Sequence, residues 1–202
     1  MLKRLFDVLF AITAGLVALP ILLLLGVAVR IILGSPVIFN QERAGKERRL
    51  FRMIKFRSMS TTRDRDGKLL NDAERTGKFG YVLRRSRLDE LPELWNVLIG
   101  DMSVIGPRPI LPDKIEVLGE RGLVRCSVKP GLTGWAQVNG NAKLTDDEKV
   151  DLDLWYIEHR NFLTDILIIA KTGLVMVCGE KRNEKHLAQA VSAAMNREIR
   201  HF

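Results

Sequence analysis

From Val8 to Val29 the chain carries no charged residue. At about 1.5 Å rise per residue, such a run is just long enough to span a bilayer as a helix. Pro20 sits near its middle, where it removes a backbone hydrogen bond and bends the helix. Lys3 and Arg4 flank one end, and Arg30, Arg43, Lys46, Arg48 and Arg49 flank the other. A simple span would place one of these basic flanks on the outer side, against the positive-inside rule. The pattern therefore predicts a re-entrant membrane helix over residues 1–34, with a break near Pro20. No small-residue cleavage site follows the run, which argues against a secretory signal. Asp7, at the mouth of the segment, has Lys3 and Arg4 within one turn as candidate partners.

The period then changes. Pro36–Phe39 and Leu50–Phe56 flank the turn-like Arg43-Ala44-Gly45-Lys46 and predict a small β-hairpin with alternating basic residues on one face. Residues 60–80 are polar and contain glycine, a loop pattern. Leu88, Leu91, Leu94, Trp95 and Leu98 recur at helical spacing, so an amphipathic helix is expected over Asp89–Ile99, its start set by Pro92 and its end by Gly100. Lys129-Pro130-Gly131-Leu132 carries a type II turn signature. After it, a short strand would present Gln137 and Asn139 on one side. Thr145 with Glu148 forms a capping box for a helix reaching about Arg160. Asn161–Cys178 is a second apolar helix closed by Gly179, too short and too charged to span, so either core or interfacial. The resulting fold class is α+β, mostly helical, with interfacial amphipathic helices. Residues 35–179 are set apart as one domain with interfacial helices and residues 180–202 as a charged helical tail, to which no chemistry is assigned.

Charge sharpens this outline. Of a formal net charge of +8, nearly all lies in the first 60 residues, where ten Lys or Arg face Asp7, Glu42 and Glu47. The remainder is close to neutral, which excludes a nucleic-acid-binding body with a spread basic face. A basic segment beside an apolar one suits anionic lipid head groups instead. Cys126 and Cys178 form no CxxC and read as ordinary buried thiols, and the three histidines show no metal-ligand spacing.

Chemistry concentrates between Arg84 and Pro109. Asp89 falls near the expected helix N-cap and Glu90 in its first turn, where the helix dipole favours an ionised carboxylate. Arg84, Arg85 and Arg87 lie just upstream. Downstream, Pro107 and Pro109 fix the backbone around Arg108, presenting its guanidinium at little entropic cost. Paired carboxylates, a helix N-terminus and several guanidinium groups suit work on a phosphate ester with a divalent metal. The plainer reading of the same residues is helix capping beside a solvated basic face.

Taken in order, the apolar N-terminal segment, Lys55-Phe56-Arg57-Ser58-Met59, Leu88-Asp89-Glu90-Leu91-Pro92-Glu93-Leu94, Gly100–Pro109 and Lys129–Gly140 resemble the bacterial sugar transferases, monotopic phosphoglycosyl transferases that begin glycan assembly on polyprenyl phosphate. The likeness runs from about Leu2 to Val177 and is similar to the minimal catalytic form, without the extra N-terminal transmembrane domain of larger members. It implies transfer of a phosphosugar from a UDP-sugar to undecaprenyl phosphate, with release of UMP, through a covalent aspartyl-phosphosugar. Asp89 matches the attacking aspartate and a Mg²⁺ ligand, and Glu90 its partner. Arg84, Arg108, Lys55, Arg57 and Gln137 match phosphate- or nucleotide-binding positions. Localisation at the cytoplasmic face of the bacterial inner membrane follows, with no nucleic acid partner and with room for a homodimer. One departure is that the family often has Ser-Pro at the helix break, whereas Leu19 precedes Pro20 here.

Two rival readings use the same residues: a membrane-bound phosphohydrolase with water as acceptor, and a non-catalytic basic membrane scaffold. Nothing in the pattern selects the sugar.

Overall fold

The computed structural model describes residues 2–200, with side chains through Met195. The chain folds into two compact units, one of Met1–Gln41 with Arg52–Ile99, the other of Glu42–Phe51 with Gly100–Phe202. The β-hairpin passes from one to the other: β1 (Ile38–Ala44) and β2 (Leu50–Phe56) form a two-stranded sheet.

In the first unit, α1 (Leu2–Ile32) is a single helix that continues through Pro20. Proline here costs a hydrogen bond without ending the helix, so the expected break is at most a bend within one element. Most of α1 is exposed apolar surface, including Leu5, Leu16, Val17, Leu23, Leu24 and Val27. It is the one described helix long and apolar enough to cross a membrane. Its covered face runs through Asp7, Ala11 and Val29. Near its start, Arg4 donates from Nη1 to Val97 O (2.6 Å) and from Nη2 to Leu98 O (2.7 Å). Near its end, Val29 packs with Phe56 and Leu83, joined by Leu22, Leu25 and Phe79. Arg4 is thus committed to backbone carbonyls, while Asp7 is buried and interacts within the protein.

The polar stretch after β2 is not all loop. Asn71 caps α2 (Asp72–Arg75) in a capping box with Glu74, and α3 (Lys78–Arg85) starts inside the region expected to be irregular. Gly80 explains the close fit there, since a Cβ would lie 1.9 Å from Ser58 O. The expected helix over Asp89–Ile99 is two pieces. Leu88–Glu90 form a single 3₁₀ turn entered from Arg87 at φ 56, and α4 (Glu93–Ile99) begins directly after Pro92. Gly100, at φ 97, ends it as expected.

The second unit holds β3 (Ser103–Ile105) and β4 (Gly131–Thr133), paired in parallel with Ser103 opposite Gly131 and Ile105 opposite Thr133. Around them lie α5 (Pro112–Leu118), α6 (Glu120–Arg125), α7 (Trp135–Val138), α8 (Asp146–His159), α9 (Phe162–Cys178) and α10 (Glu184–Arg200). The expected type II turn is absent: Gly131 is not in the positive-φ region such a turn requires. Its glycine serves close packing, because a Cβ would meet Gly106 N at 2.0 Å. The expected strand after it is the short helix α7, with all four residues buried. The Thr145–Glu148 capping box opens α8 as expected, and Gly179 at φ 77 closes α9. Only Ile168 of α9 is buried, and Phe162, Leu163, Leu174 and Val177 face outward, so α9 is not a core helix. Cys126 is buried but Cys178 is exposed, which corrects half of the thiol expectation. In the tail, Leu187 and Ala190 of α10 are buried, so this helix is part of the packed unit.

Candidate active site

The segment Leu88–Asn96 buries its polar side chains rather than its largest apolar one. Asp89, Glu90, Glu93 and Asn96 are all buried, whereas Trp95 is 56% exposed. Glu90, Glu93 and Asn96 lie three residues apart, so they share a face as the 3₁₀ turn passes into α4. That face meets β2. Asn96 Oδ1 accepts from Ile54 N (3.1 Å) and its Nδ2 donates to Arg52 O (2.8 Å), which fixes α4 along the strand edge. Lys55, the next residue, places Nζ 2.9 Å from Glu90 Oε1 and 3.0 Å from Glu93 Oε1. One ammonium therefore bridges the turn bearing Asp89 and Glu90 to the first turn of the following helix.

The remaining site candidates in this unit divide. Arg84 is exposed on α3, and its guanidinium has no protein partner among the described residues, which leaves it available to an anion. Arg57 is turned elsewhere: Nη1 donates to Ser35 O (3.0 Å) and Nη2 to Leu33 O. Its buried guanidinium satisfies two carbonyls of the segment that follows α1.

In the second unit, Arg108 is half-buried between buried Pro107 and Pro109, and its carbonyl accepts from Arg125 Nη2 (3.0 Å). Arg125 pairs with Asp153 at 2.6 Å. Burial pushes the Asp153 carboxyl upward, against the opposing pull of Arg125. Gln137 is buried and donates through Nε2 to Leu132 O (3.0 Å), so it braces the β4–α7 connection. Asn139 does not share its orientation. Its Nδ2 donates to Trp135 O (2.8 Å), and its Oδ1 accepts from Lys171 Nζ (2.9 Å) and approaches His186 Nδ1 (2.8 Å). Trp135 stacks on Trp155 with ring centroids 5.0 Å apart and meets His186 on a tilted contact. Burial lowers the basicity of Lys171, and burial followed by the Lys171 and Lys185 charges lowers that of His186. The same unit carries an open cavity of about 330 Å³ lined by Lys46, Arg49 and Lys129 with Glu47 and Asp101, roomy enough for a small anionic group.

Among the described residues, no three His, Cys, Asp or Glu side chains are gathered as a ready-made metal cage. Asp89 and Glu90 offer hard carboxylate oxygens, the donors Mg²⁺ takes when substrate phosphates and water complete its shell. The donor chemistry thus fits that ion. The reading from sequence passed over Glu93 and Asn96. Their signal was present as a polar residue every third position from Glu90 onward, which the stronger leucine spacing masked.

Comparison with known proteins identifies the family. The profile of the bacterial sugar transferase family matches residues 1–179. The uncharacterized sugar transferase EpsL of Bacillus subtilis (strain 168) is 43% identical over 171 residues, which cover 85% of each chain. The UDP-glucose:undecaprenyl-phosphate glucose-1-phosphate transferase of Xanthomonas campestris pv. campestris is 40% identical over 191 residues, covering 89% of this chain and 39% of that protein. The UDP-N-acetylgalactosamine-undecaprenyl-phosphate N-acetylgalactosaminephosphotransferase of Aeromonas hydrophila is 38% identical over 186 residues, covering 88% and 44%. The chain therefore spans most of the first of these relatives and less than half of the other two.

Proposed function

Because the chain belongs to the bacterial sugar transferase family, we propose that it moves a phosphosugar from a UDP-sugar to undecaprenyl phosphate, with Asp89 as the covalent nucleophile. The observation that carries this reading is the burial of Asp89 and Glu90 side by side in one turn, with Glu90 held by Lys55. A carboxylate oxygen of Asp89 attacks the β-phosphorus of the donor. The bond from that phosphorus to the bridging oxygen breaks, and UMP leaves with the electron pair. An oxygen of undecaprenyl phosphate then attacks the same phosphorus, which breaks the acyl-phosphate bond and restores the carboxylate.

The repulsion between an anionic nucleophile and a diphosphate must be offset. Arg84 supplies an exposed guanidinium five residues upstream of Asp89. Asp89, with Glu90 beside it, would hold Mg²⁺, which when bound would further neutralise the diphosphate.

The lipid acceptor reaches the site through α1. Residues near both ends of this helix contact the same compact unit, Arg4 at Val97 and Leu98, and Val29 at Phe56 and Leu83. Basic residues at both ends of α1 suit a path that keeps both flanks on the cytoplasmic side, where anionic lipid would hold them, the helix bending at Pro20 rather than breaking.

The test is UMP release from a panel of UDP-sugars with Mg²⁺ and undecaprenyl phosphate, wild type against Asp89→Asn. Release with one or two donors, lost in the variant, together with a lipid-linked diphosphosugar product, is the expected result. Sugar phosphate released to water would make the protein a phosphohydrolase, and no release from folded protein with any donor would remove the enzymatic reading.

A further inference from the structure

We propose that Lys55 and Glu93 are positioning residues for Glu90, and that Lys55 is not a ligand of the donor phosphates. The inference rests on the phosphoryl-transfer reading above. It reassigns a residue whose place in the sequence pattern suggested phosphate contact.

Three observations carry it. Lys55 is only 13% exposed at its side chain, hydrogen-bonds Glu90 Oε1 at 2.9 Å, and forms an ion pair with Glu93 Oε1 at 3.0 Å without hydrogen-bond geometry. An ammonium has three donors, and here its charge is already matched by groups of the protein. The strand that carries Lys55 is held in place independently. Asn96, 1% exposed, grips Arg52 O and Ile54 N on one edge of β2, so Lys55 emerges at a fixed height beside Glu93. Finally, the turn that needs support is weakly built. It is entered from a left-handed residue, Arg87, and followed by Pro92. Its backbone bonds are Glu90 N to Arg87 O (3.1 Å) and a long Leu91 N to Leu88 O (3.4 Å). The Lys55 strut ties this turn to α4, a full helix with its own hydrogen bonds.

Glu93 is then the fixed end of the strut and Glu90 the adjustable one. Loss of Glu93 leaves Lys55 pulling on Glu90 alone, and the Asp89–Glu90 turn shifts relative to the reacting phosphorus. Misplacement on the scale of 1 Å costs about 100-fold in rate without weakening substrate capture.

The experiment compares Glu93→Gln, Lys55→Met and Lys55→Arg with wild type in detergent, in full-length protein shown to be folded by circular dichroism. Steady-state kcat and KM for the preferred UDP-sugar and the equilibrium Kd for UDP are measured. Glu93→Gln is expected to lower kcat by about 10–100-fold, with KM and Kd within about twofold. Lys55→Met should do the same, and Lys55→Arg should recover much of the rate. A rise of about tenfold in Kd and KM in Lys55→Met with kcat retained would make Lys55 a phosphate ligand and overturn the proposal. So would Glu93→Gln with wild-type kcat. If Lys55→Met fails to fold, Glu93→Gln, which changes no volume, decides alone. Absence of activity in wild type instead tells against the transferase reading, and the Kd for UDP still reports whether Lys55 touches the nucleotide phosphates.

Discussion

Each compact unit buries charged side chains, and the two do so on different terms. In the second, Arg125 pairs with Asp153 through Nε and Nη2, and Nη2 also donates to the Arg108 carbonyl. In the first, one ammonium is divided between Glu90 and Glu93, next to a third buried carboxylate, Asp89. The Arg125–Asp153 pair is a tie between helices. The shared ammonium holds the Asp89–Glu90 turn to the first turn of α4. On the proposed reading, burial of charge alone does not mark a reactive site; the marker is how the opposing charges are distributed.

The tie should break first. Arg125→Met leaves the Asp153 carboxylate buried without its partner and is expected to cost about 3–5 kcal/mol. Thermal or urea unfolding reads this directly, and the residual folded protein should keep its kcat. A large loss of kcat in folded Arg125→Met protein would erase the distinction between the two clusters.

Asn96→Leu comes next. It removes two hydrogen bonds from the edge of β2 and leaves Ile54 N and Arg52 O to find other partners, at a cost of about 2 kcal/mol. Unlike Arg125→Met, it should also lower kcat, because the strand bearing Lys55 loses its register.

Much of this architecture is written in local pattern. The apolar run of α1, the hairpin, the Thr145 capping box and the glycine that closes α9 each depend on a few neighbouring residues, and each appears where the spacing places it. The adjacency of Asp89 and Glu90 is likewise local, although their burial in a 3₁₀ turn ahead of α4 was not foreseen. What was not legible depends on distant partners. The Lys129–Gly134 segment reads as a turn until Gly106 is seen against Gly131, which makes it a parallel strand. Trp135–Val138 alternates like a strand yet is a buried helix, because Trp155, Lys171 and His186 surround it from elements far along the chain. Trp95 and Cys178 match an inward pattern but lie outside, and the buried face of α4 is the polar one that β2 requires.

Thr145→Ala sharpens the comparison from a neutral position. It deletes the hydroxyl that accepts from Glu148 N at 3.3 Å and is expected to cost about 1 kcal/mol with unchanged kcat.

The smallest effect is one of pH. His186 has a lowered pKa, from burial first and then from Lys171 on α9 and Lys185 on its own helix, with Asn139 and Trp135 completing its surroundings. The folded state therefore prefers the neutral ring. Below the ordinary value of 6.5 the unfolded chain binds a proton more readily, so this contribution to stability is intact above 6.5 and is lost as pH falls toward the folded value. Melting temperature measured from pH 7.5 to 5 should decline, and His186→Gln should flatten the decline. Asp146 and Glu148, whose pKa values are lowered by Lys149 and Arg182, add a loss of the same sign only in a more acidic window.

The central claim is that Asp89 carries the phosphosugar between donor and acceptor. Its most direct test is the intact mass of the protein after incubation with its UDP-sugar and Mg²⁺ in the absence of lipid acceptor. A gain of one phosphosugar is expected, mapped to the peptide containing Asp89, discharged on adding undecaprenyl phosphate and absent in Asp89→Asn. Full turnover with no adduct under any quench, or robust UMP release by Asp89→Asn, would contradict it.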